Sequence, residues 1–277
     1  IIIVMAGTKQ HEYKKMVNKF QFTRHLLSCN NISAGKIYAN KTDYEPSATL
    51  YGIVKTIEFA NDVANIEAFT SNKVYVSNLI RTWITAFLLY GVRLVENKSP
   101  ETLQLYISPF LKEHKTRKLG KLIEFERGNY PKEIRKAVAK FLKFLNRLNS
   151  IVKEVDSKHT IYCPTKVVLN LPGDVDIKKI QKITFNKKLS GYVVVSDMDE
   201  IIDTVGPTAY ETFLVNGDLD HFMAWFDNSE RNYYYDGSNE EPIRVVTHSK
   251  VMKSYFKEWG LTGSIKVEIN GIPINKT

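Results

Sequence analysis

The sequence has few cysteines and no long apolar stretch, and each shortage excludes a class of protein. Two of the 277 residues are cysteines, Cys29 and Cys163, which provide neither a disulfide framework nor a zinc-binding spacing. No apolar run approaches the roughly 20 residues of a membrane-spanning helix. The apolar opening, residues 1–5, lacks the basic start and the cleavage site of a signal peptide. We therefore expect an intracellular, cytoplasmic protein without a transmembrane segment.

Acidic residues are also scarce relative to basic ones. The chain has 39 Lys and Arg against 30 Asp and Glu, which gives a formal net charge of +9. Such an excess favours anionic partners, among them phosphorylated small molecules, nucleic acid and acidic membrane surfaces. Between residues 112 and 158, basic residues outnumber acidic ones by about two to one. We expect this region to contact a polyanion, while the sequence identifies neither the partner nor the oligomeric state.

Strand-like and helix-like segments alternate at both ends of the chain. Strands are predicted over residues 18–24, 73–78, 92–97, 165–171, 191–197 and 243–249. Helices are predicted over residues 49–66, 79–91, 130–155, 218–226 and 250–259, and a hairpin over 264–274 that turns at residues 270–271. The alternation favours an α/β fold with a mainly parallel central sheet and helices on both faces. Residues of about 115–215 interrupt it, so we expect one domain, residues 1–277, with an insertion or cap there.

Cations and imidazoles follow three of the predicted strands. Arg24 and His25 end the first strand, Arg81 follows the strand over 73–78, and His248 ends the last strand. Because ligands bind such sheets at the carboxyl ends of their strands, we expect these four side chains to form a pocket. The planar fork of an arginine matches phosphate oxygens, and a neutral histidine can act as a nucleophile. The pattern predicts a site for a phosphoryl group.

Five segments in order resemble the histidine phosphatase superfamily, the phosphoglycerate-mutase-like group with an Arg-His-Gly signature. They are Thr23-Arg24-His25 with Ser28 and Asn31, and residues 45–52, 76–86, 111–113 and 245–249. The resemblance covers about residues 18–113 and 217–275. It implies a three-layer α/β/α sandwich and a phosphohydrolase that needs neither a metal nor another cofactor.

The resemblance also implies a role for each matching residue. His25 would attack the phosphoryl group of a phosphomonoester and form a phosphohistidine. Glu113 would protonate the leaving oxygen and later activate water, with Glu101 or Asp220 as the alternatives. The catalytic residues would then be His25, Glu113 and His248. The phosphate-binding residues would be Arg24, Asn31, Arg81 and His248. The substrate itself is not identified.

The chain departs from the family pattern at supporting positions. The substituted positions are Leu26 for Gly, Leu27 for Glu or Gln, Ile84 for Gln or Glu, and Ser249 for Gly. Glycine lets the backbone approach a ligand closely, so we expect Leu26 to narrow the pocket or to redirect His25. A catalytically degenerate relative with a binding or structural role therefore stays open. Phosphotransfer of the mutase type is a further alternative.

Two other segments favour different functions. Residues 192–203 place Asp197 and Asp199 after an apolar strand and resemble the nucleophile motif of haloacid-dehalogenase-like phosphatases, which use magnesium. Ile201 departs from that motif, so a strand that ends in a solvated acidic turn is the alternative. The predicted helix over 130–155 has an apolar and a basic face. It either packs on the sheet with a solvated side or binds nucleic acid or an anionic membrane.

Overall fold

The structure, a computed structural model, describes residues 2–3, 20–28, 48–108, 111, 130–155, 160–172, 180–184, 190–198, 243–249, 251–252, 268–269 and 272–273. The strands are β1 (Ile2–Ile3), β2 (Phe20–Arg24), β3 (Lys73–Ser77), β4 (Thr102–Ser108), β5 (Lys166–Pro172), β6 (Ile180–Thr184), β7 (Ser190–Met198), β8 (Ile243–Thr247), β9 (Glu268–Ile269) and β10 (Ile272–Pro273). The helices are α1 (Leu50–Asn61), a 3-10 turn (Ile66–Phe69), α2 (Ile80–Ala86), a π-helical turn that continues α2 (Phe87–Gly91) and α3 (Tyr130–Val155).

An eight-stranded sheet forms the centre of the fold, in the order β1-β2-β8-β3-β4-β5-β7-β6. The six strands β2, β8, β3, β4, β5 and β7 pair in parallel with their neighbours. At the two edges, β1 pairs antiparallel with β2, and β6 pairs antiparallel with β7. Inner parallel strands are buried on both faces and are therefore rich in apolar residues. Every residue of β8 is buried in this way. The predicted α/β fold with a mainly parallel sheet is confirmed.

The helices pack on the sheet and on one another. Thr49 caps α1, because its side-chain oxygen accepts a hydrogen bond of 2.9 Å from the N–H of Gly52. The π-helical turn contacts α1, and α3 contacts both α1 and α2. Phe141 of α3 meets Trp83 and Phe87 edge-on, at ring-centroid distances of 5.8 and 6.1 Å. These helices therefore form one layer, and the second layer of the expected three-layer sandwich stays a prediction.

Helix α3 divides into a buried apolar face and an exposed basic face. The buried side chains are Val138, Phe141, Leu145, Leu148 and Val152. The exposed basic side chains are Arg135, Lys136, Lys140, Lys143, Arg147 and Lys153. Because the apolar face belongs to the protein core, it is not presented to a lipid interface. None of the helices in the described ranges combines the length and the apolar character needed to cross a membrane.

Several predicted elements agree with the structure, and one is wrong. The antiparallel pairing of Ile269 with Ile272 agrees with the predicted hairpin, whose turn at residues 270–271 lies outside the described residues. The strand predicted over residues 92–97 is replaced by an isolated bridge from Arg93 to Tyr162 and by turns. Asn97 has a φ of 61°, which is incompatible with an extended strand. The strand that follows β3 is instead β4, which the prediction missed. The predicted helix over 218–226 lies outside the described residues.

Arg93 explains why the apolar segment after Gly91 does not join the sheet. Its side chain is 2% exposed. The guanidinium donates hydrogen bonds to the carbonyl oxygens of Leu89, at 2.9 Å, of Val92, at 2.8 Å, and of Phe69. The π-helical turn and the 3-10 turn are thereby joined by one buried cation.

Replacing Arg93 tests this role. We expect Arg93→Met to lower the free energy of unfolding by about 3 kcal/mol, because hydrogen bonds to a charged donor are lost from the interior. Urea unfolding measures the change, with Arg147→Met on the exposed side of α3 as the control. Equal transition midpoints for the two variants would contradict the role given to Arg93.

The segment predicted as an insertion or cap, about residues 115–215, contributes to the main sheet. Strand β5 pairs parallel with β4, and β7 pairs parallel with β5. The same segment supplies α3, which packs on α1 and α2. Its described parts thus continue the sheet, while the bounds of the domain and of an insertion stay predictions.

Candidate functional site

Three neighbouring strands end side by side at one edge of the sheet. β8 lies between β2 and β3, and the register places Arg24 beside Thr247 and Val76 beside Val246. The pairing continues one residue further, because the N–H of His25 donates to the carbonyl of Thr247 at 3.0 Å. His25 and His248 are therefore the first residues beyond two adjacent parallel strands. This is the edge at which α/β sheets bind ligands.

The structure places the ring of His248 close to both His25 and Arg81. The ring centroids of the two histidines lie 5.1 Å apart. Nη2 of Arg81, in the first turn of α2, lies 3.2 Å from Nδ1 of His248. The three side chains are 8%, 0% and 6% exposed, in the order His25, His248 and Arg81. Arg24 is half-buried and precedes His25 directly, so its charge also acts on that ring.

A hydrogen bond determines which ring nitrogen of His25 carries the proton. Its Nδ1 lies 2.7 Å from the carbonyl oxygen of Leu26. Because a carbonyl only accepts, Nδ1 carries the proton and Nε2 keeps its lone pair. Burial, with the charges of Arg81 and Arg24, lowers the pKa of His25 well below its ordinary value, although the bond to Leu26 acts in the opposite direction. His25 is thus neutral near pH 7, and Nε2 is its nucleophilic atom.

The lowered pKa of His25 predicts how the stability of the protein depends on pH. Below the ordinary value of 6.5, the unfolded chain takes up a proton at His25 that the folded protein does not. The free energy of unfolding should therefore fall as the pH decreases from 6.5 to the lower pKa of the folded state. Urea unfolding across this range, compared with His25→Asn, isolates the effect. Parallel stability curves for the two proteins would show that the pKa of His25 is not lowered.

Leu26, at the position where the sequence resemblance would place a glycine, has no left-handed backbone. Its backbone is not in the left-handed region, since Asn97 is the only non-glycine residue of the described ranges with positive φ. Its N–H donates to Oγ1 of Thr85 at 2.9 Å, and this hydroxyl donates to the carbonyl of Arg81 at 2.6 Å. The Leu26 side chain is 7% exposed and belongs to the hydrophobic core. Leu26 therefore joins β2 to α2 beside the site.

Shortening Leu26 should cost stability. We expect Leu26→Ala to lower the free energy of unfolding by about 2–5 kcal/mol, since a buried side chain is lost. Leu26→Gly should lower it by up to about 1 kcal/mol more, through the entropy of the unfolded chain. Urea unfolding with Leu50→Ala as the control, whose residue is 48% exposed, measures both changes. Unchanged or increased stability would contradict the packing of Leu26.

The start of α1 is docked on the same loop. The carbonyl of Leu27 accepts hydrogen bonds from the N–H and the hydroxyl of Thr49, both at 3.2 Å. A Cβ atom at Gly52 would lie 2.5 Å from that carbonyl, so only glycine allows this approach. The bridge between Ser28 and Ala48 continues the contact. Three consecutive positions after His25 are thus held by α1 and α2.

Nε2 of His248 contacts a residue that the sequence analysis missed. It lies 2.8 Å from the hydroxyl of Ser77, the last residue of β3. Ser77 is completely buried. Two features of the sequence could have indicated Ser77: its position at the end of a predicted strand, and its place in the segment 76–86, which carries part of the family resemblance.

Other predicted site residues lie elsewhere or outside the described ranges. Asn31, Glu113 and Asp220 are outside them. Glu101 precedes β4 at the amino edge of the sheet, where it lines an open cavity of about 560 Å³ with residues 70–72, 100 and 102. β4 has 7 residues, so this edge is about 20 Å from its carboxyl end. Glu101 was therefore wrong as an alternative acid for the histidine cluster.

Asp197 is also remote from the histidine cluster. It lies in β7, paired with Leu171 of β5. β8, β3, β4 and β5 separate β7 from β2, which corresponds to about 24 Å across the sheet. Asp199 lies outside the described residues. The two phosphatase hypotheses therefore concern separate places in the fold.

Within the described residues, no group of three or more His, Cys, Asp or Glu side chains could hold a metal ion. The expectation that no metal or other cofactor takes part is unaffected by this and stays a prediction. Buried Cys163 has a thiol whose pKa is raised by burial, so it is a weak nucleophile.

Comparison with known proteins finds no match to the chain among family models, curated proteins or solved structures. The resemblance to histidine phosphatases therefore depends on the sequence segments that carry it. The arrangement of His25, His248 and Arg81 is an independent geometric observation about the same residues.

Proposed function

We propose that the protein is a metal-independent phosphomonoester hydrolase that acts through a phosphohistidine on His25. The observation that carries this proposal is a buried, neutral histidine beside an arginine and a second histidine, at the carboxyl edge of a parallel sheet. The order of the family-like segments supports it. A phosphoglycerate-mutase-like sandwich of three layers is part of the same proposal.

In the first step, the lone pair on Nε2 of His25 attacks phosphorus, and the bond from phosphorus to the ester oxygen breaks. The proton on Nδ1 stays in its hydrogen bond to the Leu26 carbonyl, which stabilises the positive charge that develops on the ring. The leaving oxygen takes a proton from an acid, for which the resemblance provides Glu113. In the second step, water attacks phosphorus, the phosphorus–nitrogen bond breaks, and the water proton returns to that acid.

Arg24 and Arg81 would both bind the substrate and keep His25 unprotonated. Arg24 and Arg81 attract a phosphate dianion and stabilise the charge on its equatorial oxygens during transfer. Their charges also lower the pKa of His25, after the larger effect of burial, and so help to keep it unprotonated. By resemblance, Asn31 and His248 add to the phosphate site. The substrate and the intracellular location stay predictions.

The exposed basic side of α3 supports a second proposal, contact with a polyanion. Residues 135–153 expose six basic side chains (Arg135, Lys136, Lys140, Lys143, Arg147 and Lys153), and this stretch contains no acidic residue. Since the apolar face of α3 is buried, such contact would be electrostatic and would weaken steeply with salt. It is compatible with an active phosphatase as well as with an inactive relative.

Hydrolysis of a generic aryl phosphate in the presence of EDTA tests the main proposal. We expect turnover without added metal, complete loss in His25→Asn, and little change in Asp197→Asn, since Asp197 lies far from the site. Thermal unfolding of each variant checks that it is folded.

Three outcomes would contradict the proposal. Turnover that requires magnesium and disappears in Asp197→Asn would support the dehalogenase-type chemistry. Binding of inorganic phosphate without turnover of any phosphomonoester would identify a degenerate relative. Transfer of the phosphoryl group to a second substrate instead of water would indicate the mutase-type alternative.

A further inference from the structure

His248 is held by hydrogen bonds at both ring nitrogens. Nδ1 lies 3.2 Å from Nη2 of Arg81. An arginine nitrogen only donates, so Nδ1 is an acceptor and carries no proton. The ring is therefore neutral, its proton is on Nε2, and it donates to the hydroxyl oxygen of Ser77 at 2.8 Å.

Ser77 is in turn fixed as an acceptor towards His248. Its oxygen also accepts from the N–H of Leu79 at 3.1 Å. Its own proton points to Oγ1 of Thr82, at 3.3 Å, because the Thr82 hydroxyl donates to the Leu79 carbonyl at 2.7 Å. Because the Ser77 hydroxyl proton points to Thr82, the Ser77 oxygen can only accept from His248. This favours the tautomer of His248 that has its proton on Nε2.

We infer that Ser77 and His248 are positioning residues for Arg81. Ser77 sets the tautomer of His248, and Nδ1 of His248 then accepts from the guanidinium and holds it in the site. The inference rests on the proposed function in one respect only: that Arg81 binds a phosphoryl group. It differs from the direct contact with phosphate that the family resemblance implies for His248, because both ring nitrogens are engaged by the protein.

The alternative states of His248 would disturb Arg81. With the proton on Nδ1, two N–H donors would face each other across 3.2 Å. With both nitrogens protonated, a second cation would adjoin the guanidinium, in a region that also contains Arg24 and His25. The arrangement thus requires a neutral His248, and the Ser77 hydroxyl is the group that favours the correct neutral form.

Ser108 provides a matched control for Ser77. The two serines end the adjacent strands β4 and β3, are paired in register, and are both completely buried. The Ser108 hydroxyl makes no hydrogen bond, so removing it changes burial and volume in the same way without affecting His248.

The first measurement is the tautomer of His248, observed by 15N NMR on the full chain with labelled histidine. We expect a neutral ring with its proton on Nε2 in the native protein and in Ser108→Ala, and a changed tautomer or protonation state in Ser77→Ala. In parallel, the affinity for inorganic phosphate should fall about tenfold in Ser77→Ala and stay within about twofold in Ser108→Ala. An unchanged His248 tautomer in folded Ser77→Ala would overturn the inference.

Two substitutions at His248 distinguish positioning from direct phosphate contact. Asn places an acceptor oxygen where Nδ1 was, whereas Gln places a donor where Nε2 was. If His248 orients Arg81, His248→Asn should retain phosphate affinity better than His248→Gln. The reverse order, or equal affinities, would overturn the inference. A native protein that binds no phosphate would refute the proposed function, while the NMR comparison would still decide the role of Ser77.

Discussion

The pairing of β8 between β2 and β3 is the constraint on which the site depends. It joins a strand from near the end of the chain to two strands from its first part, and it fixes their register through continuous parallel ladders. Since His25 and His248 directly follow β2 and β8, the register alone determines that their rings are neighbours. A one-residue slip of β8 would move each of its side chains to the opposite face of the sheet and would displace His248 from His25, so the site requires this register.

Burial and positive charge act together on this edge of the sheet. Removing His25 from water disfavours its protonated form, and the nearby guanidinium groups of Arg81 and Arg24 disfavour it further. The same guanidinium groups attract anions. In the proposed function, this one electrostatic arrangement would keep the nucleophile unprotonated and would also provide binding energy for a phosphoryl group. Leu26 packs in the core, and its N–H donates to Thr85, so the loop after His25 is held without a glycine.

The sequence predicted the elements whose pattern is local. The strands β2, β3, β5, β7 and β8 and the helix α3 have strong apolar patterns, and their predicted bounds agree closely with the structure. The convergence of Arg81, His25 and His248 followed from the rule that ligand sites lie at the carboxyl ends of parallel strands.

What the sequence did not predict depends on contacts between distant residues. The segment after Gly91 is apolar enough for a strand, but the buried Arg93 bonds to carbonyls at residues 69, 89 and 92 and diverts it from the sheet. The role of Ser77 depends on its bond to a residue 171 positions away in the chain. Strands β5 and β7 looked like parts of an insertion because their partners in the sheet are not apparent from spacing alone.

The central claim is that His25 becomes covalently phosphorylated. The most direct measurement is to mix the protein with an aryl phosphate, stop the reaction in alkali, where phosphohistidine survives, and locate the phosphate by mass spectrometry. We expect a single acid-labile phosphate on His25. Phosphate located on Asp197, or a turnover that leaves no phosphate on the histidine, would contradict it.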